Sequence, residues 1–214
     1  MKTLFLTIIL IIPLLNVNAQ GIGEIVPDKK PEVFPSNAFG GDLMFGEGGL
    51  GLGAFYRHQI SPIVTLFADI SMSEAKDDKE FDYVDIYGIP HTYGKKNRIF
   101  LLPLNFGIQY RLFENTLTDN LRPYFNFGAG PSMVFTTPYD KEYINAFGKA
   151  HARYTLGGYV GFGANFGLDK SNLVGLNFRY YIIHFFDNGV EGLYGRFNRD
   201  LGGFYLTVNI GMMY

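Results

Sequence analysis

Phe204-Tyr205-Leu206-Thr207-Val208-Asn209-Ile210-Gly211-Met212-Met213-Tyr214 decides the fold. Phe204, Leu206, Val208, Ile210, Met212 and Tyr214 fall on one parity, and Tyr205, Thr207, Asn209, Gly211 and Met213 on the other. A strand repeats every two residues, so one face of this segment is wholly apolar and the other is small or polar. That pattern suits a strand set between lipid and the polar interior of a barrel.

The opposite end of the chain reads as an export signal. Lys2 supplies a positive start, Leu4 to Leu15 is almost unbroken apolar sequence, and Val17-Asn18-Ala19 offers the small residues of a cleavage site. Residues 1–19 are therefore expected to be a cleaved signal peptide, too short for a membrane span, with Gln20 the first mature residue. The chain has no cysteine, which excludes a lipoprotein signal, a disulfide frame and a thiolate metal site.

Cleavage there leaves about 195 residues, the length of one domain. Composition points to lipid-facing strands: 27 glycines, 21 phenylalanines and 15 tyrosines, with only 18% charged residues. A net charge of −2 gives no sign of a nucleic-acid partner. No later stretch has the apolar length of a membrane helix, so any crossing must use strands closed into a barrel, where no backbone group is left unpaired.

Residues 20–35, with Pro27, Pro31 and Pro35, read as a periplasmic lead-in to a barrel over 36–214. Eight strands are expected, at 37–45, 50–58, 63–73, 98–113, 122–136, 153–167, 172–186 and 201–214. The fold class is thus all-β, an eight-stranded antiparallel transmembrane barrel. Connections at 59–62, 114–121 and 169–171 are short or moderate, while 74–97, 137–152 and 187–200 are long and polar. Short turns belong to the periplasmic side, so both termini are expected there and the long loops outside the cell. The link at 46–49 is short and departs from the pattern. Parity places Asp42, Arg57, Asp69, Asn105, Gln109, Arg111, Asn126, Asn165, Asn177, Arg179 and Asn209 inside. Asp42, Asp69 and Arg179 lie near mid-strand and are the expected ion-pair partners, because an isolated charge in a narrow interior is costly.

Leu102-Pro103-Leu104-Asn105-Phe106-Gly107-Ile108-Gln109-Tyr110-Arg111-Leu112-Phe113, followed by Arg122-Pro123-Tyr124-Phe125-Asn126-Phe127-Gly128-Ala129-Gly130-Pro131, resembles the small outer-membrane β-barrels of diderm bacteria, the porin-like and OmpA-like barrel domains. The resemblance implies the outer membrane as location, its lipids and lipopolysaccharide as surroundings, and insertion by the barrel-assembly machinery. The assembly signal would be the alternating face Phe204, Leu206, Val208, Ile210, Met212 and Tyr214. No peptidoglycan-binding domain is expected after the barrel.

Motifs that could carry chemistry read as structural. Gly46-Glu47-Gly48-Gly49-Leu50-Gly51 fits G-x-G-x-x-G, but a dinucleotide site needs a helix after it, and here both flanks read as strands. His58, His91, His151 and His184 lack the spacing of a zinc site. His184 with Asn188-Gly189 faintly resembles the lipid A deacylase barrels, yet Phe185 and Phe186 stand where a serine nucleophile would be needed. Ser132 or Ser73 could approach that histidine only by an accident of folding. Glu74, Asp77, Asp78, Glu80, Asp82 and Asp85, against Lys76 and Lys79, allow a divalent-cation site but read better as a solvated, mobile loop. The expectation is a non-enzymatic barrel with no cofactor or metal, its lumen filled by side chains because eight strands leave so little room. The alternatives are a narrow channel for small or apolar solutes and a lipid A-modifying hydrolase.

Overall fold

A computed structural model describes residues 33–77, 79–88, 90–114, 116–117, 120–167 and 170–214. The stretch read as a signal peptide (1–19), most of the expected lead-in and Asp78 lie outside the described residues. Eight strands close into one antiparallel barrel: β1 (Asn37–Gly46), β2 (Gly49–Gln59), β3 (Val64–Ala75), β6 (Asn97–Arg111), β7 (Leu121–Pro138), β8 (His151–Phe166), β9 (Asn172–His184) and β12 (Asp200–Met213). Each pairs with its neighbours in sequence order, and β1 pairs with β12 to close the ring. Closure gives every strand of the ring a partner on both sides.

The three long connections are folded. The first carries the small hairpin β4 (Asp82–Val84) and β5 (Pro90–Thr92), the second a helical turn α1 (Tyr143–Phe147), and the third the hairpin β10 (Val190–Leu193) and β11 (Arg196–Asn198). Several charges of the acidic stretch have partners, one of them on the third connection. Asp82 meets Lys76 at 2.5 Å, Glu80 meets Lys95 at 3.1 Å, and Asp77 meets Arg196 at 3.3 Å. The first and third connections also join: Lys96 N–H donates to Gly192 O at 2.8 Å, and Tyr194 N–H to Gly94 O at 3.0 Å. β6 stops at Arg111, two residues short of expectation, since Phe113 takes a positive φ of 55° and turns the chain. β9 likewise ends at His184, two residues short of expectation, with one further backbone bond from Phe185 N–H to Arg199 O beyond it.

Side chains alternate between the two faces. Phe39, Leu43, Phe106, Phe127, Phe178, Ile182, Phe204 and Ile210 face outward and are exposed. Inward residues stack in layers. At the short-turn end, Ala38, Phe55, Leu173 and Met213 cluster, with Phe34 packed on them. Higher up lie Met44, Phe67, Tyr159, Tyr181 and Tyr205, and under the long loops lie Ile99, Leu101, Val134, Ile183, Val190 and Leu201.

The closing seam depends on two glycines. Gly40 opposes Gly211 across β1 and β12. A Cβ on Gly40 would strike the Ile210 carbonyl and the Phe55 ring, and one on Gly211 would strike the Phe39 carbonyl. Gly40→Val should therefore wedge the seam and cost about 1–3 kcal/mol of stability. The check is thermal unfolding in detergent, combined with the gel shift between folded and boiled protein. An unchanged midpoint would refute the tight seam.

Candidate functional site

The site is the polar interior between these apolar layers. Arg179, on β9, is 1% exposed. Its Nη2 lies 2.9 Å from Asp42 Oδ2 on β1, and its Nη1 lies 3.9 Å from Asp69 Oδ2 on β3. In the ring order β9 and β3 are four strands apart in either direction, so this one guanidinium reaches the opposite wall. Register explains the approach to Asp42. Across β12, Arg179 opposes Tyr205 and Asp42 opposes Asn209, four residues along the same strand. Strand tilt in a closed barrel turns that offset into proximity.

Both carboxylates have further donors. Asn209 Nδ2 donates to Asp42 Oδ1 at 2.5 Å, Asn105 Nδ2 to Asp69 Oδ1 at 2.8 Å, and the Tyr159 hydroxyl to Asp69 Oδ2 at 2.7 Å. Arg179 Nη1 donates to the Tyr181 hydroxyl at 3.3 Å, and the guanidinium lies 5.0 Å from the centre of the Tyr159 ring. The Tyr124 hydroxyl donates to Asn209 Oδ1 at 3.3 Å, carrying the network on to β7. Nearer the short-turn end, Arg57 Nη1 on β2 donates to Asn165 Oδ1 on β8 at 3.2 Å, again across the full width of the ring. Gln109, Asn126 and Asn177 are buried and point inward, and Arg111 is half-buried at the last position of β6.

Sequence reasoning misses the tyrosines as partners in this network. The signal that could have found them is parity, since Tyr124, Tyr159, Tyr181 and Tyr205 share the inward face with Gly and Asn. Ser73 joins them, donating to the Tyr205 hydroxyl at 3.2 Å.

The histidines lie apart from this network. His184 is exposed on the outward parity of β9, with Nδ1 2.6 Å from Asp200 Oδ1 and its ring 5.2 Å from that of Phe186. Ser73 and Ser132 are buried on the inward face, on the far side of the wall from that imidazole. His58 pairs with Asn37 and His91 with Asp85. The glycine motif at 46–51 spans the β1–β2 hairpin, with a two-residue turn at Glu47-Gly48 and strands on both sides.

The sequence matches no protein-family model and no curated protein. Solved structures do resemble it. Neisserial surface protein A superposes with a TM-score of 0.55 at 8% identity, covering 86% of this chain and 100% of that one. The N-terminal β-barrel domain of OprF from Pseudomonas aeruginosa gives 0.47 at 12% identity, over 84% of this chain and 98% of that one. The outer membrane protein OprG from the same organism gives 0.47 at 12%, over 86% and 98%. The first of these likenesses supports the fold, a closed eight-stranded barrel, and nothing beyond the fold.

Arg179→Met leaves two buried carboxylates without their cation and should cost about 3–5 kcal/mol, read as a lowered urea midpoint in detergent. A midpoint shift no larger than that of an outward substitution would contradict the assignment. At the loop end, Lys96 and a backbone N–H of Gly195 hold the Glu191 carboxyl below its ordinary value. The loop contact it makes with Lys96 should persist above the usual glutamate range and weaken as pH falls through that lowered value. Amide exchange at Lys96 and Tyr194 should accelerate there. Exchange protection unchanged on acidification would contradict this.

Proposed function

We propose that this protein is an integral outer-membrane barrel with a side-chain-filled lumen and no catalytic role, serving envelope structure or surface contact through its loops. A soluble protein rarely exposes so large a continuous apolar wall, whereas lipid solvates it at no cost. The export signal read at 1–19 supports the same destination. The asymmetry between short turns and long loops supports termini in the periplasm and loops outside, among lipopolysaccharide. Insertion would use the barrel-assembly machinery, guided by the outward face from Phe204 to Tyr214.

The observation that carries the reading is Arg179 bound between carboxylates of β1 and β3. A fixed charge cluster across a narrow interior blocks free passage of solutes and fastens the walls together. Purified protein in a planar bilayer should show no sustained conductance steps, while Arg179→Ala should admit small ones. Steady steps from the unmodified protein would instead favour a narrow channel. Cell fractionation should recover the protein in the outer membrane with a heat-modifiable gel shift, and recovery in the soluble periplasm would overturn the location.

A further inference from the structure

The hairpin of the first long connection carries an aromatic face. β4 and β5 pair Asp82 with Thr92, Tyr83 with His91 and Val84 with Pro90. The Tyr93 N–H donates to Phe81 O at 2.9 Å, which continues the same register by one pair. Residues opposite each other in an antiparallel pair share a face, and so do alternate residues along a strand. Phe81, Tyr83, His91 and Tyr93 therefore fall on one face, and each of them is a ring. The rings of Tyr83 and His91 stack with centres 5.7 Å apart. Asp82, Val84 and Thr92 fall on the other face, where the Thr92 hydroxyl donates to Asp82 Oδ1 at 2.7 Å. The third connection brings one more tyrosine close: Tyr194 N–H donates to the carbonyl of Gly94, the residue after Tyr93.

These rings stand in solvent. Phe81 is 70% exposed, Tyr83 45%, Tyr93 76% and Tyr194 72%. Contiguous uncovered rings on a surface mark a place of contact. Local bonds hold the hairpin in shape. Asp85 meets His91 Nε2 at 3.1 Å and accepts from the Tyr87 N–H at 2.8 Å. Lys76 meets Asp82 at 2.5 Å, and Lys95 meets Glu80 at 3.1 Å. The same bonds spend the charges of the hairpin on one another, so the face offers rings and hydroxyls rather than net charge.

We infer that this face is a stacking platform for neutral sugar, and that its occupant is the neutral saccharide chain of the lipopolysaccharide around the loops. The source of the sugar rests on the outer-membrane reading above. A pyranose has a flat face of C–H groups and a rim of hydroxyls. The electron-rich face of an aromatic ring attracts the first, and tyrosine hydroxyls bond to the second. Tyrosine supplies this contact with only two torsions to fix, at low entropic cost. A phosphate, sulfate or nucleic-acid ligand needs cations to receive it, and Lys76 and Lys95 are already engaged by carboxylates. A wholly apolar partner would bury the Tyr83 and Tyr93 hydroxyls without acceptors.

The chain contains no tryptophan, which makes the test direct. Tyr93→Trp keeps a ring on the face and gives the full-length protein a single indole. The variant in detergent, shown to fold by its gel shift, is titrated with delipidated polysaccharide from the producing strain's lipopolysaccharide. Indole emission should move to the blue in a saturable way, with little change between about 0.05 and 0.5 M salt. Tyr83→Leu in this background keeps bulk, removes the ring and should weaken binding about tenfold. Tyr83→Phe should bind within a few-fold of the parent, and Val84→Ala, on the opposite face, should leave binding unchanged. Absence of a shift, full binding by Tyr83→Leu, or equal weakening by Val84→Ala would overturn the platform. Binding that collapses with salt, or a larger shift with heparin or with phosphatidylethanolamine vesicles, would overturn the neutral sugar as ligand. Failure to bind by protein recovered from the outer membrane overturns this inference alone. Recovery in the periplasm overturns the location, and with it the source of the saccharide.

Discussion

A guanidinium taken out of water needs carboxylates and oxygen acceptors placed around it, and in this protein Arg179 imposes that demand on the whole interior. Its partners come from β1, β3 and β9 itself, and theirs from β6, β8 and β12. These contacts form only when the ring is closed and the strands are staggered by the observed amount. A slip of one residue on any wall would turn its polar face outward and an apolar face inward. Buried ion pairs add little net stability against a well-packed apolar alternative, but removing one member is severe. The cluster therefore acts as a register key, rejecting barrels that close with the wrong shear.

The same constraint explains where glycine and tyrosine occur. A narrow barrel has room for a crossing side chain only where the facing position is small. At Gly161 a Cβ would collide with the side-chain oxygens of Asn126 and Asn177, and at Gly175 with that of Asn165. Glycines thus make space for the amides, and the tyrosines span what remains with a ring that packs and a hydroxyl that bonds. Apolar layers above and below confine this polar section to the middle and lower part of the barrel.

Much of this is legible in the sequence because the apolar outer wall and the polar interior impose opposite demands on alternate residues. Strand positions read from the pattern agree within about two residues, as boundaries usually do. The inward placement of Asp42, Asp69 and Arg179 comes from parity alone. Their mutual distances do not, since these depend on shear, which no local pattern records. The hairpins inside the long loops are also hidden. Segments such as Asp82–Val84 and Arg196–Asn198 are too short for a periodic signal, and the order of these loops comes from distant contacts such as Lys96 with Glu191, 95 residues apart. Phe34 is hidden for the same reason, lying in a proline-rich stretch with no alternation to show which way its ring turns.

Arg179 and Asp42 should behave as one unit if their bridge keys the register. A double-mutant cycle in urea, using Arg179→Met, Asp42→Asn and the pair, isolates their interaction from the separate costs of each change. Strong coupling is predicted, with the double variant recovering more than about 1 kcal/mol relative to the sum of the single variants. Additivity within about 0.5 kcal/mol would contradict it and would mean that the barrel keeps its register without this bridge.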